Sequence, residues 1–171
     1  MAKQKIAVIT GAGSGIGLAL CRELLISDPE IFVVAFCRKR PALDALQKKF
    51  RARLIVERVE FNHNAAMDNI RRALERYEHI DYLVHCAGNV TPLERIPTID
   101  HKDWRKTQRV NSDIPFFMTQ LCLKKFAHSR VLFLTSDQPV IPVAGAAAYS
   151  VSKAALNVLC GCFRQEIDSD I

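Results

Sequence analysis

Short apolar runs alternate along the chain with stretches in which apolar residues recur every three or four positions. Lys5 to Thr10 is apolar and ends in glycines, which predicts a buried strand running into a tight turn. Leu18, Leu20, Cys21, Leu24 and Leu25 then keep a helical period until the breaker Ser27-Asp28-Pro29. Ile31 to Phe36 reads as a second buried strand. Pro41 suits a first helical position, and Leu43, Leu46 and Phe50 mark the apolar side of that helix. Leu54 to Val59 is a strand with polar interruptions, expected near a sheet edge. Asn64 to Tyr77 is helical by period, and Ile80 to Cys86 is a fourth strand. After a loop containing Pro92 and Pro97, one long helix is expected from about His101 to Ala127, with an irregularity at Pro115. Arg130 to Thr135 is a fifth strand, and a last helix begins near Ala147.

Strand and helix alternate throughout, with neither an internal repeat nor a low-complexity linker. That pattern predicts an α/β fold: a doubly wound parallel sheet with helices on both faces and right-handed crossovers. In such sheets ligands bind beyond the carboxyl ends of the strands, where the strand order reverses. Chemistry is therefore sought just after each strand: Gly11 to Gly17, Cys37 to Arg40, Glu60 to Asn62, Ala87 to Asn89, and Ser136 onward.

Composition fits one compact domain over residues 1–171, with 49% apolar and 25% charged residues. No apolar run approaches the roughly 20 residues of a membrane helix, and Ile6 to Ile9 is too brief for a secretory signal core. A cytoplasmic location is the expectation. Six cysteines include no C-x-x-C, and no histidine pair has ligand spacing, so neither a metal site nor disulfides are expected. The net charge of +6 comes from short separate groups such as Arg38-Lys39-Arg40 and Arg71-Arg72, without interleaved aromatics. These read as solvated surface, and no nucleic-acid partner is expected.

The glycines change the picture most, because four of the chain's seven are Gly11, Gly13, Gly15 and Gly17. They follow the first strand and open the first helix, where glycine admits positive φ and a close approach of a diphosphate, and the helix N-terminus offers free N–H groups. The window Gly11, Gly13, Ser14, Gly15, Ile16, Gly17 is the expected cradle. It is neither G-x-G-x-x-G nor a P-loop, since no Gly-Lys-Ser/Thr follows. At the end of the second strand, Cys37 stands where an NAD site places a carboxylate for the ribose 2′-OH. Arg38 beside it suits a 2′-phosphate, so NADP is expected, with NAD the alternative.

The last third of the chain carries Ser136 and Tyr149-Ser-Val-Ser-Lys153. Tyr149 and Lys153, four apart, share one helix face. A tyrosine is a poor proton carrier at neutral pH, and an adjacent ammonium favours its phenolate. Ser136, at the end of the fifth strand, is placed to meet Tyr149 and bond a substrate oxygen.

Together, Thr10-Gly-x-x-x-Gly15-Ile-Gly17, Tyr149-x-x-x-Lys153, Ser136 thirteen residues before the tyrosine, and Val110-Asn111 resemble the short-chain dehydrogenase/reductase family of the common cytosolic type. The resemblance implies a Rossmann-like fold and hydride transfer between NADP or NAD and a small carbonyl or alcohol. Asn111 would hold a water in a proton relay, Ser136 would polarise the carbonyl and Tyr149 would be general acid or base. Lys153 would ease the tyrosine's deprotonation and bind the nicotinamide ribose. Ala87-Gly88 would let the cofactor approach, and Glu60 would lie beside the adenine. It also implies a homodimer or homotetramer through the long central helix and the Tyr-Lys helix, with Phe116, Phe117, Leu121, Leu156, Leu159 and Phe163 as candidate contacts.

Three departures stand out. His85-Cys86 replaces a pair of asparagines, with His85 read as structural. Asp137 follows the serine and brings a negative charge to the cleft that bears on substrate choice. Finally, the family continues with further strands and a substrate lid that this chain lacks, which leaves the fifth strand as a free edge. The alternative function is accordingly a truncated, catalytically inactive dinucleotide-binding paralogue.

Overall fold

Chain order and pattern translate directly into the computed structural model, which describes residues 4–167. Five strands, β1 (Lys5–Thr10), β2 (Ile31–Cys37), β3 (Leu54–Arg58), β4 (Tyr82–His85) and β5 (Arg130–Phe133), form one parallel sheet in the order β3-β2-β1-β4-β5. Between them lie helices α1 (Gly15–Ser27), α2 (Pro41–Lys49), α3 (Ala66–Glu75), α4 (His101–Gln108) and α5 (Ile114–Cys122), and α6 (Ala147–Glu166) follows the sheet. The first three strands wind outward one way and β4 and β5 the other. The order reverses between β1 and β4, which opens a crevice at their carboxyl ends.

Because side chains alternate across a strand, each central strand feeds two cores. From β1, Ile6 and Val8 join Val34, Phe36, Leu83, Ile70, Leu74, Ile114 and Met118 on the face covered by α3 and α5. Ala7 and Ile9 join Val33, Ala35, Val84, Cys21, Leu25 and Leu43 on the face covered by α1 and α2. Both faces of the middle strands are dry, which explains their unbroken apolar runs.

The expected single helix from His101 to Ala127 is corrected. It is α4, a π-helical turn over Arg109–Asp113, α5, and a short 3-10 turn ending at Lys125. Pro115, buried at the second position of α5, has no N–H to donate to the preceding turn and its ring crowds that turn's carbonyl. The ladder widens just upstream, and the widened turn carries Asn111. β3 is an edge strand as expected, and β5 is the other edge, where Leu132 is half-exposed.

His85 shows how a departure from the family pattern is absorbed. It ends β4, in register with Thr10 and Phe133, and stacks on the Phe133 ring at 5.0 Å between centroids. Its Nε2 lies 3.0 Å from Thr119 Oγ1, while Nδ1 has no partner among the described residues. Complete burial drives its pKa down to about 3, so the ring folds neutral. The unfolded chain takes up that proton below about pH 6.5 and the folded chain does not, so this group's stability contribution falls as pH drops from about 6.5 to about 3. The slope it adds is about 1.4 kcal/mol per pH unit. Unfolding midpoints in urea measured across that range should therefore fall less steeply for His85→Gln than for the parent; equal slopes would contradict the buried neutral ring.

Candidate active site

The turn after β1 is shaped by contacts only glycine allows. Gly11 has φ of +65°, and a Cβ there would lie 2.7 Å from the Ala87 main chain. Thr10 Oγ1 accepts from Ala87 N at 3.1 Å, tying the ends of β1 and β4 together. A Cβ on Gly13 would meet the Lys39 carbonyl at 2.6 Å, and one on Gly17 the Gly11 carbonyl at 2.6 Å. Gly15, with φ of +54°, has no neighbour within 4 Å on that side and faces open space. Ser14 precedes α1 without a side-chain cap, and no acidic residue occupies the first turn, so the helix presents its N-terminal N–H groups uncapped.

These elements border a cleft of about 270 Å³ lined by Gly11, Gly13, Ser14, Arg38, Glu60, Ala87 and Gly88 among the expected residues. Ile16 is 63% exposed and does not line it. Val59 and Phe61 line it too, Phe61 from the stretch after β3 where chemistry is sought, and so do Lys106 and Val110. The first two flank Glu60, and their alternation about it was the available signal. Lys106 lies one turn before Val110 on a helix whose facing side is not legible without the fold. The basic trio divides: Arg40 bonds Asp44 and Gln47, whereas Arg38 and Lys39 face the cleft and form no ion pair among the described residues.

Beyond the cleft, Asn111 is locked on both sides. Its Oδ1 accepts from Asn89 N at 2.7 Å, and its Nδ2 donates to Asn89 O and to Ser152 Oγ, each at 2.9 Å. Ser152 is the neighbour of Lys153 on α6, so the π turn positions α6 against the end of β4. The Lys153 side chain is buried. Its ammonium donates to the Leu134 carbonyl and lies 5.8 Å from the centre of the Tyr149 ring. A Cβ on Gly88 would sit 3.8 Å from Asn111 Oδ1 and 3.9 Å from Lys153 Nζ, so these three converge. Burial pulls the ammonium below its ordinary range, and the nearby Cys86 thiol pulls weakly the other way.

Ser136 is bonded within its own loop. Its hydroxyl donates to Asp137 Oδ1 at 3.1 Å and accepts from Gln138 N at 3.3 Å, and no hydrogen bond joins it to Tyr149 among the described residues. The neighbouring carboxylate, one residue away, captures the proton before the tyrosine can. No group of metal-ligating side chains is found among the described residues, and none of their helices is long and apolar enough to cross a membrane.

Strand order, glycine turn and switch-point cleft define a Rossmann-like α/β protein. Residues 5–170 match the family model for the short chain dehydrogenases, and the chain belongs to that family. It is 30% identical to a benzil reductase ((S)-benzoin forming) of Saccharomyces cerevisiae over 97% of this chain and 67% of that protein. It is 28% identical to an NAD-dependent glycerol dehydrogenase of Listeria innocua over 89% of this chain and 60% of that one. Among solved structures, the KRED1-Pglu enzyme superposes with a TM-score of 0.87 at 27% identity, covering 95% of this chain and 69% of that one. The chain thus spans about 60 to 67% of the length of those curated relatives.

Proposed function

We propose that the chain is a dinucleotide-binding domain acting as an NADP(H)-dependent oxidoreductase on a small carbonyl or alcohol, with Tyr149 as general acid or base. The observation that carries the reading is the Lys153 ammonium, a cation 4% exposed with no carboxylate paired to it among the described residues. A buried unpaired charge is costly and is retained where it has a task. The Leu134 carbonyl uses one of its three N–H donors, which leaves donors for a ribose diol and for a phenolate on Tyr149. Gly11, Gly13 and Ser14, which line the cleft, and the main-chain N–H groups of Gly15, Ile16 and Gly17 at the uncapped α1 N-terminus would hold a diphosphate, with Ala87 and Gly88 on the nicotinamide side and Glu60 on the adenine side. The bound dinucleotide supplies the hydride; the chain's own residues place the substrate oxygen and move the proton. Tyr149 gives that proton in reduction and takes it back in oxidation, while Asn111 keeps α6 in register.

NADP rather than NAD is favoured by Arg38 and Lys39, free cations at the cleft with no carboxylate at Cys37 to repel a 2′-phosphate. Arg38→Ala should raise the Kd for NADPH about tenfold and leave that for NADH nearly unchanged; equal effects on both would remove the preference. Turnover is tested by loss of NADPH absorbance with a panel of aldehydes and ketones. Cofactor-induced thermal stabilisation without turnover would instead support a dinucleotide-binding chain that does not catalyse.

Self-association through α5 and α6 is part of the proposal, with a changed contact set. Leu156 is 1% exposed and belongs to the core, whereas Phe117, Val151 and Val158 are 46%, 49% and 65% exposed and face outward. A monomer by sedimentation would overturn it. The expected setting is the cytoplasm.

A further inference from the structure

Asp137 stands beside the proposed chemistry without a role in it. It is exposed, forms no ion pair among the described residues, and holds the Ser136 proton. The segment is fastened, since Gln138 Oε1 accepts from Ser150 Oγ on α6 at 3.3 Å and Gln138 N donates to Ser136. The loop is thereby held against α6, and the carboxylate lies one hydrogen bond from the hydroxyl expected to contact the reacting oxygen.

We propose that Asp137 is a specificity-determining residue that selects substrates carrying a hydroxyl group on the carbon next to the reacting carbonyl or alcohol. This rests on the oxidoreductase reading above. A plain ketone brings only an acceptor, and it must compete with a full negative charge for the one proton of Ser136. A ketone with an adjacent hydroxyl brings a donor of its own. That hydroxyl donates to Asp137, and Ser136 is released to turn its O–H onto the reacting oxygen. The same carboxylate repels substrates that bear a carboxylate there, because unlike an alcohol they offer it a like charge and no proton. The selected class is thus vicinal hydroxy-ketones and diols, with α-keto acids rejected.

Hydroxyacetone and butanone test the idea, since they match in size and differ in a single hydroxyl for methyl exchange. With NADPH, the parent should show a kcat/KM for hydroxyacetone about tenfold or more above that for butanone, the range of a hydrogen bond to a charged group. Asp137→Ala should lose that preference mainly through the KM for hydroxyacetone, with butanone turnover retained or raised. Asp137→Glu should restore part of it. No preference in the parent, or one that survives in Asp137→Ala, would overturn the assignment while leaving the oxidoreductase reading intact. If the chain turns neither ketone over with NADPH, thermal protection of the NADP⁺-saturated chain by propane-1,2-diol over butan-2-ol, abolished in Asp137→Ala, supports the proposal. Equal protection, or none, overturns it. Failure to bind NADP(H) at all overturns the underlying reading and this one with it.

Discussion

Gly11→Ala is expected to lower the stability of the fold by about 2 to 4 kcal/mol and to abolish dinucleotide binding. Two effects add. The residue sits at φ of +65°, where a Cβ meets its own main chain, and that Cβ would also lie 2.7 Å from Ala87 Cα and N, atoms of the backbone that cannot swing aside. Relief would require the ends of β1 and β4 to separate, breaking the Thr10–Ala87 hydrogen bond at the mouth of the crevice. For a chain of this size the melting temperature should fall by about 5 to 15 °C. Gly161→Ala provides the opposite sign. That glycine lies at an exposed position of α6 with nothing within 4 Å of its Cβ position among the described residues, so alanine should stabilise by about 0.5 to 1 kcal/mol. If calorimetry gave the two variants similar melting temperatures, the close approach at Gly11 would be wrong.

The contrast between those glycines also marks where sequence was informative. The cluster Gly11 to Gly17 was legible because several constraints fell in one window between an apolar run and a helical period. The ends of the five strands, of α2 and α3, and the start of α6 lie within about two residues of the changes of period, whereas the stretch from His101 to Ala127 is divided. Asn111 was named from its motif, but the π turn that carries it was not, because the effect of Pro115 appears upstream of the proline. Lys106 escaped for a related reason: it reaches the cleft from an α4 placed by contacts distant in sequence. Leu156, a candidate contact for which burial within the subunit is the simpler default, is indeed in the core; helical period shows which residues share a face and not which face meets the sheet. The bond from Ser136 to Asp137 is not legible from the motif, since a side chain one residue away offers an acceptor that the spacing to Tyr149 does not reveal.

Tyr149→Phe should separate chemistry from binding. On the proposed reaction, kcat for carbonyl reduction falls by a factor of about 10² to 10⁴, the contribution of a positioned acid–base group. The Kd for NADPH should stay within about twofold, since the dinucleotide is held at the glycine turn and by Lys153. Folding should be untouched: no hydrogen bond engages the Tyr149 hydroxyl among the described residues, so phenylalanine keeps the ring and strands no buried partner. Lys153→Met gives a different signature, with cofactor affinity lost as well, because the ammonium would contact both ribose and phenolate. It should also be more stable than the parent, since an apolar stem of similar length removes an unpaired charge from a buried position. A destabilised Lys153→Met would mean that the ammonium is structural, bracing β5 through the Leu134 carbonyl, and the same result would remove the main support for Tyr149 as the proton carrier.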